Sequence, residues 1–389
     1  MKFRSVELVQ AILIVSFWYR HHKNQTHFAI NRLVNLAVSI SEDTGIVESE
    51  SALSVAATHF RDQMCSSNAW RTWILCYLLS SSLANCMRMP PRIPWSTDLE
   101  MKLSSLEYGK DSLHTDGLLC QFVSAERLCQ QITTDAGYHA SDRTMEITDH
   151  QKIRQLQNLI TDRKAQAFSS LSCPSLKLYE HSATILLNEC ILHTPTNKRS
   201  FAAPYVAERL SLTDFPAPIV TPDHIAALYK LRDGCHAILN AFMALDIQAI
   251  ASSPLITFSA KAFYANWLLV KLYVTVTASG NTYGAFIGAE YLELDFYLGK
   301  MAHLGDLVCA FDGESSSGGM LQSSRRLREW VGNCSTLQAE ELLLNPPSDE
   351  VMSVDAENIV LEDPDSIDWT AFDSNLLSED PLDDMFSIP

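Results

Sequence analysis

The stretch 68–95, NAWRTWILCYLLSSSLANCMRMPPRIPW, limits what this chain can fold into more than any other. From Trp70 the large apolar residues fall at Trp73, Leu75, Cys76, Leu78, Leu79, Leu83 and Met87. Spacings of three and four wrap a buried helix; a strand would alternate. Asn68 is the expected N-cap. The helix must stop before Pro90, because the residue ahead of a proline is pushed out of the α region, and Pro91 and Pro94 keep it from resuming. A new helix is expected at Thr97, whose hydroxyl and the carboxylate of Glu100 have the spacing of a capping box. The product is a long buried helix, a rigid corner and a second helix.

The remaining segments follow the same period. Only 14 of 389 residues are glycine and 47% are hydrophobic; the Leu- and Ala-rich segments run longer than strands do, so the expected fold class is all-α. Lys2 and Arg4 followed by the run 6–15 look like a signal peptide. Glu7 and Gln10 interrupt that run, no small-x-small cleavage site follows, and Phe17, Trp18 and Tyr19 continue it, so a buried helix is expected instead. Ile30, Leu33, Val34, Ala37 and Val38 give a second helical face with Gly45 beyond it as terminator, and a short helix is expected over 55–64. Leu118, Leu119, Phe122, Val123, Ala125, Cys129 and Ile132 form another face, a loop covers 133–148, and Ile153, Leu156, Leu159, Ile160 and Phe168 form the next helix. Pro174 opens a helix, 194–222 connects two helical groups, and Thr221-Pro222-Asp223 is a start signal: a hydroxyl cap, a proline where no NH is needed, and an acid at the positive end. The most apolar run, 263–278, is shorter than the roughly 18 to 20 residues of a membrane span. It also holds Asn266 and Lys271, so it is expected as the central helix of a bundle. A helix over 290–311, a flexible loop at 314–319 and a last helix from Arg325 to about 344 complete the body.

Charge is concentrated at one end. Thirteen Asp and Glu and no Lys or Arg lie in 345–389, which leaves four of the 17 net negative charges to everything before it. The ten cysteines are dispersed, with no Cys-x-x-Cys, so no structural zinc site is expected and a reducing compartment fits them. His21, His22 and His27 read as surface or capping residues. The chain has no Gly-x-Ser-x-Gly elbow, phosphate-binding glycine loop, dinucleotide fingerprint or His-Glu-x-x-His. Asp383-Asp384, the one acid pair of metal-site type, stands five residues from the end. No enzyme and no cofactor are expected. Arg325, Arg326 and Arg328 are too few to track a phosphate backbone.

A tryptophan-rich helix running through Ser80, Ser81 and Ser82 into the turn Arg88-Met89-Pro90-Pro91, with Trp95 just beyond, resembles the regulatory middle homology domain of fungal Zn(II)2Cys6 transcription factors. The segment SVELVQAILIVSFWYR is similar to the helix that opens the middle of that domain. The resemblance implies a nuclear transcriptional regulator of a metabolic or biosynthetic gene set, with a helical regulatory domain over 1–344, coactivators as partners and, in some members, a small-metabolite effector. The family's DNA-reading cluster of six cysteines is not written in these residues, so DNA is expected as a partner only indirectly or through an N-terminal zinc cluster outside them.

The acidic segment has its own pattern. Trp369, Phe372 and Leu376, with Leu377 beside them, stand at helical spacing among acids, and Leu382, Met385 and Phe386 repeat the arrangement after Pro381. Acids mixed with large apolar residues mark disordered activation segments, so 345–389 is expected to be a disordered tail whose seven named residues contact a coactivator. The alternative from another class is a helical scaffold or adaptor with no promoter role. No membrane partner is expected.

Overall fold

Helices make up every regular element among the described residues, which the computed structural model gives as 5–19, 30–44, 61–139, 145–167, 173–203, 205–210, 215–216, 218–278 and 280–333. The acidic segment 345–389 and His21, His22 and His27 lie outside them. Two helices, α1 (Val6–Phe17) and α2 (Ile30–Asp43), pair with each other and lie on α3 (Arg61–Met87). Ser5 caps α1, its hydroxyl accepting from Leu8 N at 3.4 Å. Val9 and Leu13 are buried while Ile14 and Val15 face outward, so the helix expected to be buried buries one face only.

The long helix starts earlier than the sequence suggests. Asn68 is no cap: α3 is already running at Arg61, and Asn68 Oδ1 accepts from Arg71 Nη1 at 3.0 Å while its carbonyl accepts from the Thr72 hydroxyl at 2.8 Å. An exposed Asn carries a propensity cost of only tenths of a kcal/mol, roughly 0.7 at most, which the buried face outweighs. Trp73, Cys76, Leu78, Leu79, Leu83 and Met87 are buried, and Leu75 is half-buried. The helix ends as expected, at Met87. Arg88 takes the left-handed conformation (φ 53°) and Met89 N donates to Ala84 O at 3.0 Å, the six-to-one closure of a Schellman cap with arginine where glycine usually stands.

Past the prolines, α4 (Thr97–Tyr108) is capped one residue earlier than expected, by Ser96, whose hydroxyl accepts from Leu99 N at 3.2 Å. Glu100 is thereby free for other work: it accepts from Trp95 Nε1 at 2.9 Å and pairs with Arg127, whose guanidinium lies 4.4 Å from the Trp95 ring centre. Next come α5 (Asp116–Asp135), α6 (His150–Ala167) and α7 (Pro174–Asn188), α5 packing on α3, α4 and α7. Pro174 stands in the first turn as expected, behind Cys173.

The connection after α7 is built from the 3-10 turns Glu189–Leu192, Lys198–Phe201 and Ala207–Arg209. Then α8 (Pro222–Met243) begins at the Thr221 signal, with His224 closing the capping box. A short α9 (Ile247–Ala251) and the π-helical turn Leu255–Ser259 lead into α10 (Ala260–Thr277). From Ala260 to Leu272 every residue of α10 is buried, with α7, α8, α11 (Leu294–Phe311) and α12 (Ser316–Gln322) around it. It is the central helix the apolar run predicts, and no helix of the described residues is long and apolar enough to cross a membrane.

The segment expected as a flexible loop, 314–319, is instead the start of α12, with Ser315 as N-cap, and a final helix, α13 (324–333), follows it. Serine and glycine stand there for a different reason. A Cβ on Gly305 would lie 2.7 Å from Gln322 N, and one on Gly318 would lie 2.6 Å from Cys309 Sγ, so α11 and α12 cross with their backbones nearly touching. Buried residues from Val9 to Leu327 form one continuous apolar core.

Candidate functional site

Lys261, Arg88 and Lys271 penetrate this core, and each demands compensation, since a buried charge without a partner costs several kcal/mol or more. Lys261 sits on the first turn of α10 between Ala260 and Ala262. Its Nζ donates to Glu126 Oε2 at 2.8 Å and lies 4.3 Å from the Tyr179 ring centre. Asn85 of α3 donates to the other oxygen of Glu126 at 2.6 Å, and Thr133 of α5 donates to Asn85 Oδ1 at 2.9 Å. Burial alone would pull the ammonium down, but Glu126, with Tyr179 behind it, holds its pKa above the ordinary value. This clasp ties α3, α5 and α10 together with every carboxylate oxygen engaged.

The second cation is Arg88, at the proline corner. The left-handed backbone turns its side chain away from solvent and toward residues far along the chain. Nη2 donates to both oxygens of Glu189, at 2.7 and 2.9 Å, and to the Tyr264 hydroxyl at 2.5 Å; Nε donates to Phe201 O at 3.3 Å. Tyr264 in turn donates to Glu189 Oε2. The guanidinium lies 5.1 and 5.2 Å from the ring centres of Tyr138 and Tyr264. The Arg88 side chain is 6% exposed and that of Glu189 0%. Burial would raise the Glu189 carboxyl; Arg88 foremost, with His193 and Tyr264, outweighs it and holds the group below the usual carboxylate range.

This second clasp is incompletely satisfied. Arg88 Nη1 has no hydrogen-bond partner. His193 stacks on Tyr138 at 4.7 Å and on Phe201 at 4.1 Å, and its Nε2 comes no closer than 3.4 Å to Glu189 Oε1, so neither ring nitrogen makes a well-formed hydrogen bond. Burial pushes His193 below its ordinary pKa against the pull of Glu189, which keeps it neutral at pH 7. A neutral histidine beside a carboxylate and a tyrosine is a set that moves protons in many sites. Here these side chains are buried, and together they tie the corner to the connection and α10.

The third cation opens onto a cavity. Lys271, 1% exposed, donates from Nζ to the Ser200 hydroxyl at 2.6 Å and lies 4.3 Å from the Phe201 ring centre. With Thr196, Asn197, Arg199, Arg209 and Phe215 it lines a cavity of about 350 Å³. Trp267 Nε1 braces the floor by donating to Ser200 O at 2.8 Å.

The seven residues expected to contact a coactivator, Trp369, Phe372, Leu376, Leu377, Leu382, Met385 and Phe386, all lie outside the described residues. Among those described, no group of three or more His, Cys, Asp or Glu is placed to hold a metal. The clasps and the cavity were not anticipated; Asn266 and Lys271 in the most apolar run were the available signal, because polar groups there must find partners. No family model, curated protein or solved structure matches the chain.

Proposed function

We propose that this chain is the regulatory and activating part of a transcriptional regulator of the fungal zinc-cluster type, acting in the nucleus on a metabolic or biosynthetic gene set and without enzymatic activity of its own. The observation that carries this is the acidic segment 345–389, in which thirteen acids and no base surround Trp369, Phe372 and Leu376 at helical spacing. A purely solvating tail has no reason to expose large apolar side chains. The body, over the proposed 1–344, supports it: the tryptophan-rich helix that bears the family resemblance ends at Arg88 and the proline corner, and that corner is what the Glu189 clasp fixes in place.

On a coactivator with an apolar groove and a basic rim, Trp369, Phe372 and Leu376 enter as one stripe, with Leu377, Leu382, Met385 and Phe386 extending it, while the acids steer the encounter. Fused to a heterologous DNA-binding domain, residues 345–389 should activate a reporter. Trp369→Ala with Phe372→Ala should remove most of that activity, and replacing Asp373 and Asp380 by Asn should remove less. A silent wild-type segment, or a fully active double aromatic variant, overturns the proposal and leaves the helical scaffold in its place.

A further inference from the structure

We propose that the outward face of α1 is a docking surface for an anionic lipid bilayer, with the helix lying along the headgroup boundary. Val9, Leu13 and Ser16 face the core, and on the opposite side Leu8, Ala11, Ile14, Val15 and Trp18 are exposed, Ile14 by 59% and Trp18 by 54%. A helix that is apolar all round calls for cover all round, and the protein covers only one side of this one. Glu7, in the first turn, is the only charged residue of α1. On α11, by contrast, the exposed Phe296, Leu307 and Phe311 are separated by the exposed Lys300 and His303, so no continuous apolar stripe forms there. Trp18 Nε1 donates to Ser252 O at 2.7 Å. That bond holds the indole at the end of the α1 stripe with its ring turned outward.

Charge names what covers the face. Residues 1–41 hold Lys2, Arg4, Arg20, Lys23 and Arg32 against the single acid Glu7, a net +4 in a chain of −17, so everything after them carries −21. Four of those five bases stand just outside the two ends of α1, with Arg4 directly before its Ser5 cap and Arg20 two residues after Trp18. An apolar stripe bracketed by bases matches a bilayer boundary: aliphatic side chains enter the acyl region, tryptophan sits at the interface, and lysine and arginine reach the anionic headgroups. The stripe lies along one side of a single helix, a convex rib. A fluid surface conforms to a rib, whereas a partner helix seats in a groove. The acids of the remainder act on the face only within about 8 Å at physiological salt. The sequence, read for spans, predicts no membrane partner; a helix lying on the surface needs no span, only an apolar face and basic flanks. The inference does not rest on the transcriptional reading.

The test is flotation of the full chain with vesicles of phosphatidylcholine alone and of phosphatidylcholine mixed with phosphatidylserine. The chain should float with the anionic vesicles, and high salt should release most of it. Ile14→Asp, at an exposed position that leaves the core intact, should weaken that binding by at least about tenfold. Arg20→Glu with Lys23→Glu should weaken it as well, and Leu307→Asp, on the exposed side of α11, should leave it unchanged. Oxidative footprinting of Trp18, read by mass spectrometry, separates a lipid cover from a protein one: Trp18 should be labelled in the free chain and protected by anionic vesicles. Trp18 already protected without vesicles, as it would be beneath the chain's own 345–389 or a second copy, overturns the proposal. So does failure to bind anionic vesicles, equal binding to neutral ones, or an Ile14→Asp variant that binds like the parent.

Discussion

Lys261 and Arg88 each meet a fully buried carboxylate, yet their surroundings differ. The ammonium is a compact charge that lies over the Tyr179 face of α7, and Asn85 of α3, held by Thr133 of α5, takes the second oxygen of Glu126, so that both are engaged. The guanidinium is a planar fork with five donors. The corner supplies acceptors for Nη2 and Nε and none for Nη1, and it leaves His193 without a proper hydrogen bond. Both cations draw partners from far along the chain, but the flexible one is fully satisfied by what converges on it, whereas the rigid one fixes the directions its partners must come from and leaves a remainder.

The difference is sharpest when the acid is removed. Glu189→Ala strands a guanidinium that cannot shed its proton, and a loss of about 3–5 kcal/mol is expected from chemical denaturation. Glu126→Ala should cost less, because a stranded lysine can become neutral. Equal costs would erase the distinction between the two clasps.

Replacing both charges tests it from the other side. Lys261→Met with Glu126→Gln keeps an amide oxygen for Asn85, and stability within about 1 kcal/mol of the parent is expected. Arg88→Met with Glu189→Gln deprives Tyr264 and Phe201 O of a donor and should lose about 2 kcal/mol.

The dependence on pH should separate the clasps as well. His193 has a folded pKa below its unfolded value, so the unfolded chain binds more protons and stability falls as pH drops below about 6.5. Glu189, also depressed in the folded state, contributes stability that is present above about 4.5 and lost on further acidification. The Lys261 clasp contains no histidine. His193→Phe should therefore flatten the curve of melting temperature against pH between about 5 and 6.5, while His139 and His224, which burial also pushes down, keep their shares.

The smallest effect expected is on thiols. Burial pushes Cys129, near Lys261, and Cys190, beside Glu189, each up to about 12. Both should alkylate slowly in the native protein at pH 8. Glu189→Ala should speed the modification of Cys190 more than that of Cys129, as mass spectrometry of the labelled protein would show.

Much of the helical framework was legible because its signals are local. The prolines at 90, 174 and 222 set a stop and two starts where expected, and the run 263–278 is the central helix. The caps misread were chemically ambiguous: Asn68 and Thr97 have the right side chains, but helix register is decided by which neighbours can be buried, which moves one start to Arg61 and hands the other cap to Ser96. Ser316 to Gly319 reads as a loop because close helix crossing and chain flexibility call for the same small residues. The clasps were not legible, since Glu126 and Lys261 are 135 residues apart and Arg88 and Tyr264 are 176 apart, and no periodicity links them. For 345–389, spacing names the residues expected to make contact but contains nothing of the surface they would meet.

The reach of Arg88 has a consequence for how the chain is made. Its partners at 189, 201 and 264 are translated after it, the last of them 176 residues later. At roughly 5–20 residues per second that is about 9 to 35 s. During that interval the emerging segment carries an arginine whose native environment does not yet exist, and the left-handed turn that aims it inward has no compensation. The corner can close only when α10 has left the ribosome. Fragments ending before Tyr264 are thus expected to remain clients of chaperones rather than independent folding units.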